Sequence, residues 1–243
     1  MLTFLLACTG GEEPDDDTAR AEDSGQVETT PDITPPAYSG GTCPTLAAGD
    51  NAGFVSGEYE REFRLDLPED PEGAPVIFLW HWLGGSADQI VEWSGFESFP
   101  EDHGAILIAP QTRGLPYEWD TFDGDGTPDL VFFDDMLSCL AEQYSVDMTR
   151  IYSSGMSAGG LWTVTLTHHR SQWLAASAPL SGGATEYTWG TDDAIPVMLT
   201  WGGPSDTYGS FSFDDAQYVL IDQLAGAGPV SYTHLTLPTT YTV

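Results

Sequence analysis

Gly155-Met156-Ser157-Ala158-Gly159 sets a serine hydroxyl between two glycines, directly after the strand-like Arg150–Ser154 and before a helix-like stretch from Leu161 to His169. A turn from strand to helix this tight leaves no room for a Cβ at Gly155 or Gly159, and it projects Ser157 from its apex. The following helix directs its positive end at the hydroxyl and favours the negative charge that develops when a serine attacks a carbonyl carbon. The resulting oxyanion needs two backbone N–H donors. Ala158, next after the nucleophile, supplies one, and the loop His81-Trp82-Leu83-Gly84-Gly85 is placed to supply the other. The pentapeptide alone is a common pattern in Gly- and Ser-rich sequence; the strand before it and the helix after it make it specific.

The elements that must hold these groups are legible in the hydrophobic periodicity. Tyr59, Phe63, Leu65 and Leu67 fall on alternate positions, as in a half-buried strand. Short apolar runs follow at Val76–Trp80, Ala105–Ala109, Ile151–Ser154, Ala175–Leu180 and Val197–Trp201, the form of buried parallel strands. Between them Leu130, Phe133, Leu137, Leu140 and Tyr144 recur at helical spacing, and Val219, Ile221 and Leu224 mark another helix. Strands alternating with helices predict an α/β, doubly wound, mostly parallel sheet.

Residues 43 to 228 resemble the extracellular polyhydroxybutyrate depolymerases and the related feruloyl and acetylxylan esterases, which have the α/β-hydrolase fold. The resemblance is carried by Phe78-Leu79-Trp80-His81-Trp82-Leu83-Gly84-Gly85, by Val146–Tyr152 leading into the serine turn, and by Ala175–Gly182. Trp82 departs from the family, where glycine is usual. The resemblance implies that Leu83 gives the second oxyanion N–H. Ile195–Asp206 resembles the family strand that ends in the catalytic acid, which implies Asp206 for that role. The triad order Ser, Asp, His then requires a histidine beyond Asp206, and His234 alone qualifies in this sequence. Its surroundings, Val230 to Val243, are threonine-rich, lack acidic residues and resemble translated sequencing-adapter read-through. The expectation is therefore a hydrolase domain incomplete at its C-terminus, a non-native tail over 230–243, and a true catalytic histidine outside this sequence.

The first eight residues end in Leu5-Leu6-Ala7-Cys8, which resembles a lipoprotein lipobox and makes Cys8 the expected lipidated residue. Residues 9–42, built of Glu, Asp, Thr, Ser, Pro and Gly, read as an acidic disordered tether. The order of anchor, tether and domain (43–229) implies a protein outside the cytoplasm, lipid-anchored at the cell envelope or released. Across all 243 residues, 38 acidic side chains against six arginines give a net charge of −32. Such a surface repels nucleic acid and anionic membranes and suits an uncharged ester, polymeric or oligomeric.

Other features carry plainer expectations. Asp120–Asp129 alternates oxygen-bearing side chains as calcium loops do, but lacks the glutamate an EF-hand requires and reads as a polar loop; no metal site is expected. His168 and His169 are expected to cap a helix end, and His103 to sit in a surface turn. Trp82 and Trp119 are the tryptophans placed in loops where a cleft forms. Cys43 and Cys139 suit a disulfide with each other, or each with a cysteine outside this sequence. The chemistry predicted is cofactor-free ester hydrolysis through an acyl-serine. An acyltransferase on the same scaffold and a catalytically silent fold that binds a glycan or partner are the alternatives.

Overall fold

The computed structural model describes residues 33–113, 119–121, 127–183, 195–226 and 232–236. The chain opens with β1 (Gly49–Ser56) and β2 (Tyr59–Asp66), an antiparallel pair. It continues through β3 (Val76–Trp80), α1 (Ala87–Ser94), α2 (Phe99–His103), β4 (Ile106–Pro110), α3 (Thr127–Tyr144), β5 (Ile151–Met156) and α4 (Ala158–Arg170). Then come β6 (Ala176–Leu180), β7 (Val197–Trp201), a short hairpin of β8 (Thr207–Tyr208) and β9 (Phe211–Ser212), α5 (Phe213–Gly226) and β10 (Tyr232–Thr236). The main sheet runs β1-β2-β4-β3-β5-β6-β7-β10, antiparallel through the first three strands and parallel from β4 onward. The chain winds outward from β3 to β4, then crosses back to lay β5 on the other side of β3. Such a reversal opens a crevice at the carboxyl ends of the strands, where ligands of doubly wound sheets bind.

The apolar runs form these strands because one face is covered along the sheet and the other is covered at β3 and β4. On one face, Val76, Phe78, Trp80, Ile106, Ile108 and Ile151 pack with Phe132, Phe133, Met136 and Leu137 of α3 and with Trp162 and Leu166 of α4. The same face continues under α5, where Val197, Leu199 and Trp201 meet Leu220 and Leu224. On the other face Leu79, Leu107 and Ala109 are covered by Ile90 and Val91 of α1. Ser86 caps α1 by accepting the Gln89 N–H, and Gly95 ends it in the left-handed region. Alternation had shown β2; β1 carries too little alternation, and α1 and α2 are too short, to be read from sequence.

Four expectations shift. The folded unit begins at Ile33 rather than at Cys43. Within the stretch assigned to the tether, the buried Asp135 carboxylate accepts the Ser39 N–H and the Ser39 and Ser56 hydroxyls, and the Tyr38 hydroxyl donates to the Val55 carbonyl. The physical reason is that Tyr38 has a ring to bury and Ser39 two donors for Asp135, which composition alone conceals. Trp119 is 2% exposed and fills core between Trp80 and Trp162 instead of lining a cleft. Tyr232–Thr236, expected to lie in a non-native tail, pair in parallel with Val197–Trp201 as the edge strand β10. Residues 1–32, with Cys8, lie outside the described residues. His103, expected in a surface turn, is instead the last residue of α2, against Phe99; His168 and His169 sit in the last turn of α4, as expected. Asp120 and Asp129, the ends of the alternating acidic loop, are taken by Arg113 and Arg61, and no group of metal-ligating side chains occurs among the described residues.

Cys43 and Cys139 are joined, closing a loop across 96 positions from the segment before β1 to the middle of α3. A cross-link of that span restricts the unfolded chain by about 4–5 kcal/mol. The double variant Cys43→Ala/Cys139→Ala is expected to melt about 10 °C or more below the parent in a calorimetric scan. An unchanged melting temperature would mean that the bridge contributes nothing to stability.

Candidate active site

The serine turn has the geometry its sequence required. Ser157 stands at the carboxyl end of β5 with φ 56° and ψ −117°, a conformation that side-chain-bearing residues rarely adopt. It persists because its flanks leave the chain no alternative. A Cβ on Gly159 would stand 2.7 Å from the His81 carbonyl oxygen and closer still to that of Trp80; one on Gly155 would meet the Gly159 carbonyl and lie 2.9 Å from the Trp80 Cβ. The N–H of Ser157 donates to the Leu180 carbonyl and its own carbonyl accepts the Leu161 N–H, the first bond of α4. Ala158, the first residue of α4, has an amide in the first turn of a helix, where N–H groups lack intrahelical partners.

Asp206 follows β7, two strands from β5 along the sheet, and β6 between them joins the two residues. Leu180 at the end of β6 accepts the Ser157 N–H, and the hydroxyl of the next residue, Ser181, donates to Asp206 Oδ2 at 2.7 Å. The Gly202 N–H donates to the same oxygen at 2.8 Å. Ser181 is held with φ 45°, its own N–H donating to the Thr200 carbonyl. Sequence reading took Ala175–Gly182 as a strand and missed Ser181. A serine after an apolar run gives no sign of the carboxylate it meets from a segment 25 residues later.

Trp82-Leu83-Gly84-Gly85 forms a tight turn closed by the Gly85 N–H on the Trp82 carbonyl, with Gly84 at φ 75°. His81 fixes it from inside: Nδ1 lies 2.8 Å from the Trp82 carbonyl and Nε2 3.4 Å from the Thr112 N–H. These partners select the tautomer with the proton on Nδ1 and the acceptor at Nε2. Burial pushes His81 below the ordinary histidine pKa, so the ring stays neutral. The buried Trp119 indole N–H donates to the His81 carbonyl at 2.9 Å. Asp129 in turn fixes the Trp119 segment, accepting the Asp120 N–H on one oxygen and Arg61 on the other. Trp119 thus supports the loop that presents Leu83, a role its position in a loop did not disclose.

The structure brings Ser157, Ala158, Gly155, Gly159 and Asp206 together at one edge of the sheet and sets the Leu83 loop against them through Gly159. The backbone of His234 is within β10, with its Cα opposite that of Leu199, whereas Ser157 and Asp206 stand beyond the carboxyl ends of their strands. His81 has both ring nitrogens engaged. His168 and His169 close the far end of α4, about 16 Å from its start.

Because the folded pKa of His81 lies below its unfolded value of about 6.5, the unfolded chain binds the extra proton first. Its contribution is complete above that value and is lost as pH falls through it. Unfolding free energy measured by urea titration should drop between about pH 7 and pH 5, by up to about 1.4 kcal/mol per unit from this group. His81→Gln should flatten that slope; an identical slope in the variant would show that His81 does not carry it.

No family model matches the sequence. Among curated proteins it is similar to a probable feruloyl esterase C of Aspergillus niger, 32% identical over 167 residues, which are 65% of this chain and 58% of that protein. The chain therefore spans less than two thirds of the length of that relative. Solved structures with the same fold include a thermostable esterase, 22% identical with a TM-score of 0.59 over 74% of this chain and 52% of that one. Another is an acetyl xylan esterase from Aspergillus awamori, 13% identical with a TM-score of 0.51 over 61% of this chain and 69% of that one. The parallel sheet and the serine turn after β5 agree with these likenesses: the chain has the fold of the esterase structures and is similar in sequence to feruloyl esterase C.

Proposed function

We propose that this chain is the core of a carboxylic-ester hydrolase that works through an acyl-serine. The observation that carries the reading is the tie through Leu180 and Ser181, which holds the strained Ser157 and the carboxylate of Asp206 to the same strand end. In the reaction the Ser157 hydroxyl gives its proton to an imidazole as Oγ bonds to the ester carbon. The N–H groups of Ala158 and Leu83 receive the oxyanion. The imidazolium protonates the departing alcohol as the ester C–O bond breaks, and water, deprotonated by the same ring, releases the acid and frees Ser157. Asp206 orients the imidazole. Its base is a histidine that follows Asp206 in chain order, and His234 is the residue of this sequence in that position. No cofactor takes part.

The substrate class is an ester of a plant polysaccharide, feruloyl or acetyl, or a hydroxyalkanoate polyester. The relatives named feruloyl esterases support the first. The Cys43–Cys139 bridge supports a protein working outside the reducing cytoplasm, with Cys8 as its lipid attachment.

Hydrolysis of p-nitrophenyl acetate and butyrate tests the mechanism. Ser157→Ala should lower kcat by about 10³-fold or more while the circular dichroism spectrum stays that of the parent. Ser181→Ala, which leaves Asp206 with one of these two donors, should lower kcat less, by about tenfold. A loss in His234→Ala as large as that in Ser157→Ala assigns the base; parental activity there places the base elsewhere. Turnover unaffected by Ser157→Ala would overturn the esterase reading.

A further inference from the structure

Two tryptophans stand on the outer lip of the oxyanion loop. Trp82 immediately precedes Leu83, and its ring lies over Gly85, where a Cβ would come within 3.0 Å of it. Its carbonyl accepts from the Gly85 N–H and faces His81 Nδ1, so the residue is fixed on both sides. Trp93 of α1 lays its indole against Trp82 with ring centroids 4.8 Å apart and planes inclined by 32°. Trp93 is nevertheless 69% exposed. A soluble protein gains nothing from presenting an indole face to water, and here the face is backed by a second ring so that it cannot fold down. Across the same sheet edge Tyr208, 67% exposed, stands two residues beyond Asp206.

The surroundings restrict what such a ledge holds. The chain carries −32, and each arginine among the described residues is paired with an aspartate, so a polyanion finds no partner. An open, flat ring face fits the C–H face of a sugar ring better than it encloses a flexible aliphatic chain. Exposed carboxylates beside Trp93, Glu92 and Glu97, accept hydrogen bonds from hydroxyl groups, which a polyester lacks along its length.

We propose that Trp82 and Trp93 form a binding subsite for the pyranose rings of an uncharged glycan whose ester is presented to Ser157. The subsite rests on the esterase reading and selects the polysaccharide ester from its substrate classes.

Binding is measured in the Ser157→Ala protein by tryptophan fluorescence, titrating xylohexaose and, separately, a 3-hydroxybutyrate hexamer. Xylohexaose should shift the emission saturably, and adding Trp93→Ala should weaken its binding about tenfold or more. In the active protein, Trp93→Ala should leave p-nitrophenyl acetate turnover within twofold of the parent. It should lower kcat/KM on acetylated xylo-oligosaccharides about tenfold, through KM. No binding of xylohexaose, binding of the hydroxybutyrate hexamer in its place, or equal losses on the small and the oligomeric ester would overturn the subsite. The titration needs no turnover, so its outcome is separate from the Ser157→Ala comparison that decides the esterase reading.

Discussion

The rest of the site depends on one close approach, that of the first turn of α4 to the backbone at Trp80 and His81. With no side chain on Gly159, the helix start sits directly on the end of β3 and brings two separate pieces of chain, the serine turn and the Leu83 loop, to a common surface. Any bulkier residue would lift the helix and separate Ser157 from the Leu83 loop. The unusual backbone angles of Ser157 follow from the same approach, since the chain must reverse between β5 and a helix that cannot move outward. Large aromatic side chains complete the constraint from beneath, with Trp80, Trp119 and Trp162 packed edge to face and in stacks under the turn.

Charge is managed differently on the inside and the outside. Arg61 and Asp129 form a pair with side chains at 0% and 3% exposure, a placement in which desolvation consumes most of the attraction. The pair is therefore better understood as fixing geometry than as adding stability: Asp129 also anchors the amide of Asp120, and with it Trp119 under the oxyanion loop. The outer pairs, such as Arg64 with Asp66 and Asp88, are partly solvated and weak one by one.

How much of this was legible depended on whether a feature is local. The pentapeptide around Ser157 encodes its own turn, because glycine is demanded by atoms within a few residues and by the strand just before it. The central parallel strands were legible because burial on both faces leaves uninterrupted apolar runs such as Val76–Trp80 and Ile106–Ala109. Ser181, Trp119 and Ser39 were not, since each acts through a partner far along the chain: Asp206, the His81 carbonyl and Asp135. Helix α1 was hidden by its brevity, and with it the meeting of Trp93 and Trp82. His234 satisfied the order required of a triad, but order along a chain does not fix depth along a strand, and its backbone lies within β10.

The end of β6 serves as a shared mount. Leu180 holds the backbone of Ser157 and its neighbour Ser181 holds the carboxylate of Asp206, so a displacement of that strand end carries both in the same direction. Their mutual spacing is thereby buffered against thermal motion and against modest repacking beneath the sheet. The Leu83 turn is tied in differently: it hangs from β3, is trimmed by His81 and Trp119, and meets the serine turn where Gly159 approaches the Trp80 and His81 backbone. Residues 82–85 and 119 lie outside that mount, and under the proposed esterase reading sequence variation there is a route by which this scaffold can be retuned for a different acyl group while Ser157 and Asp206 stay in register.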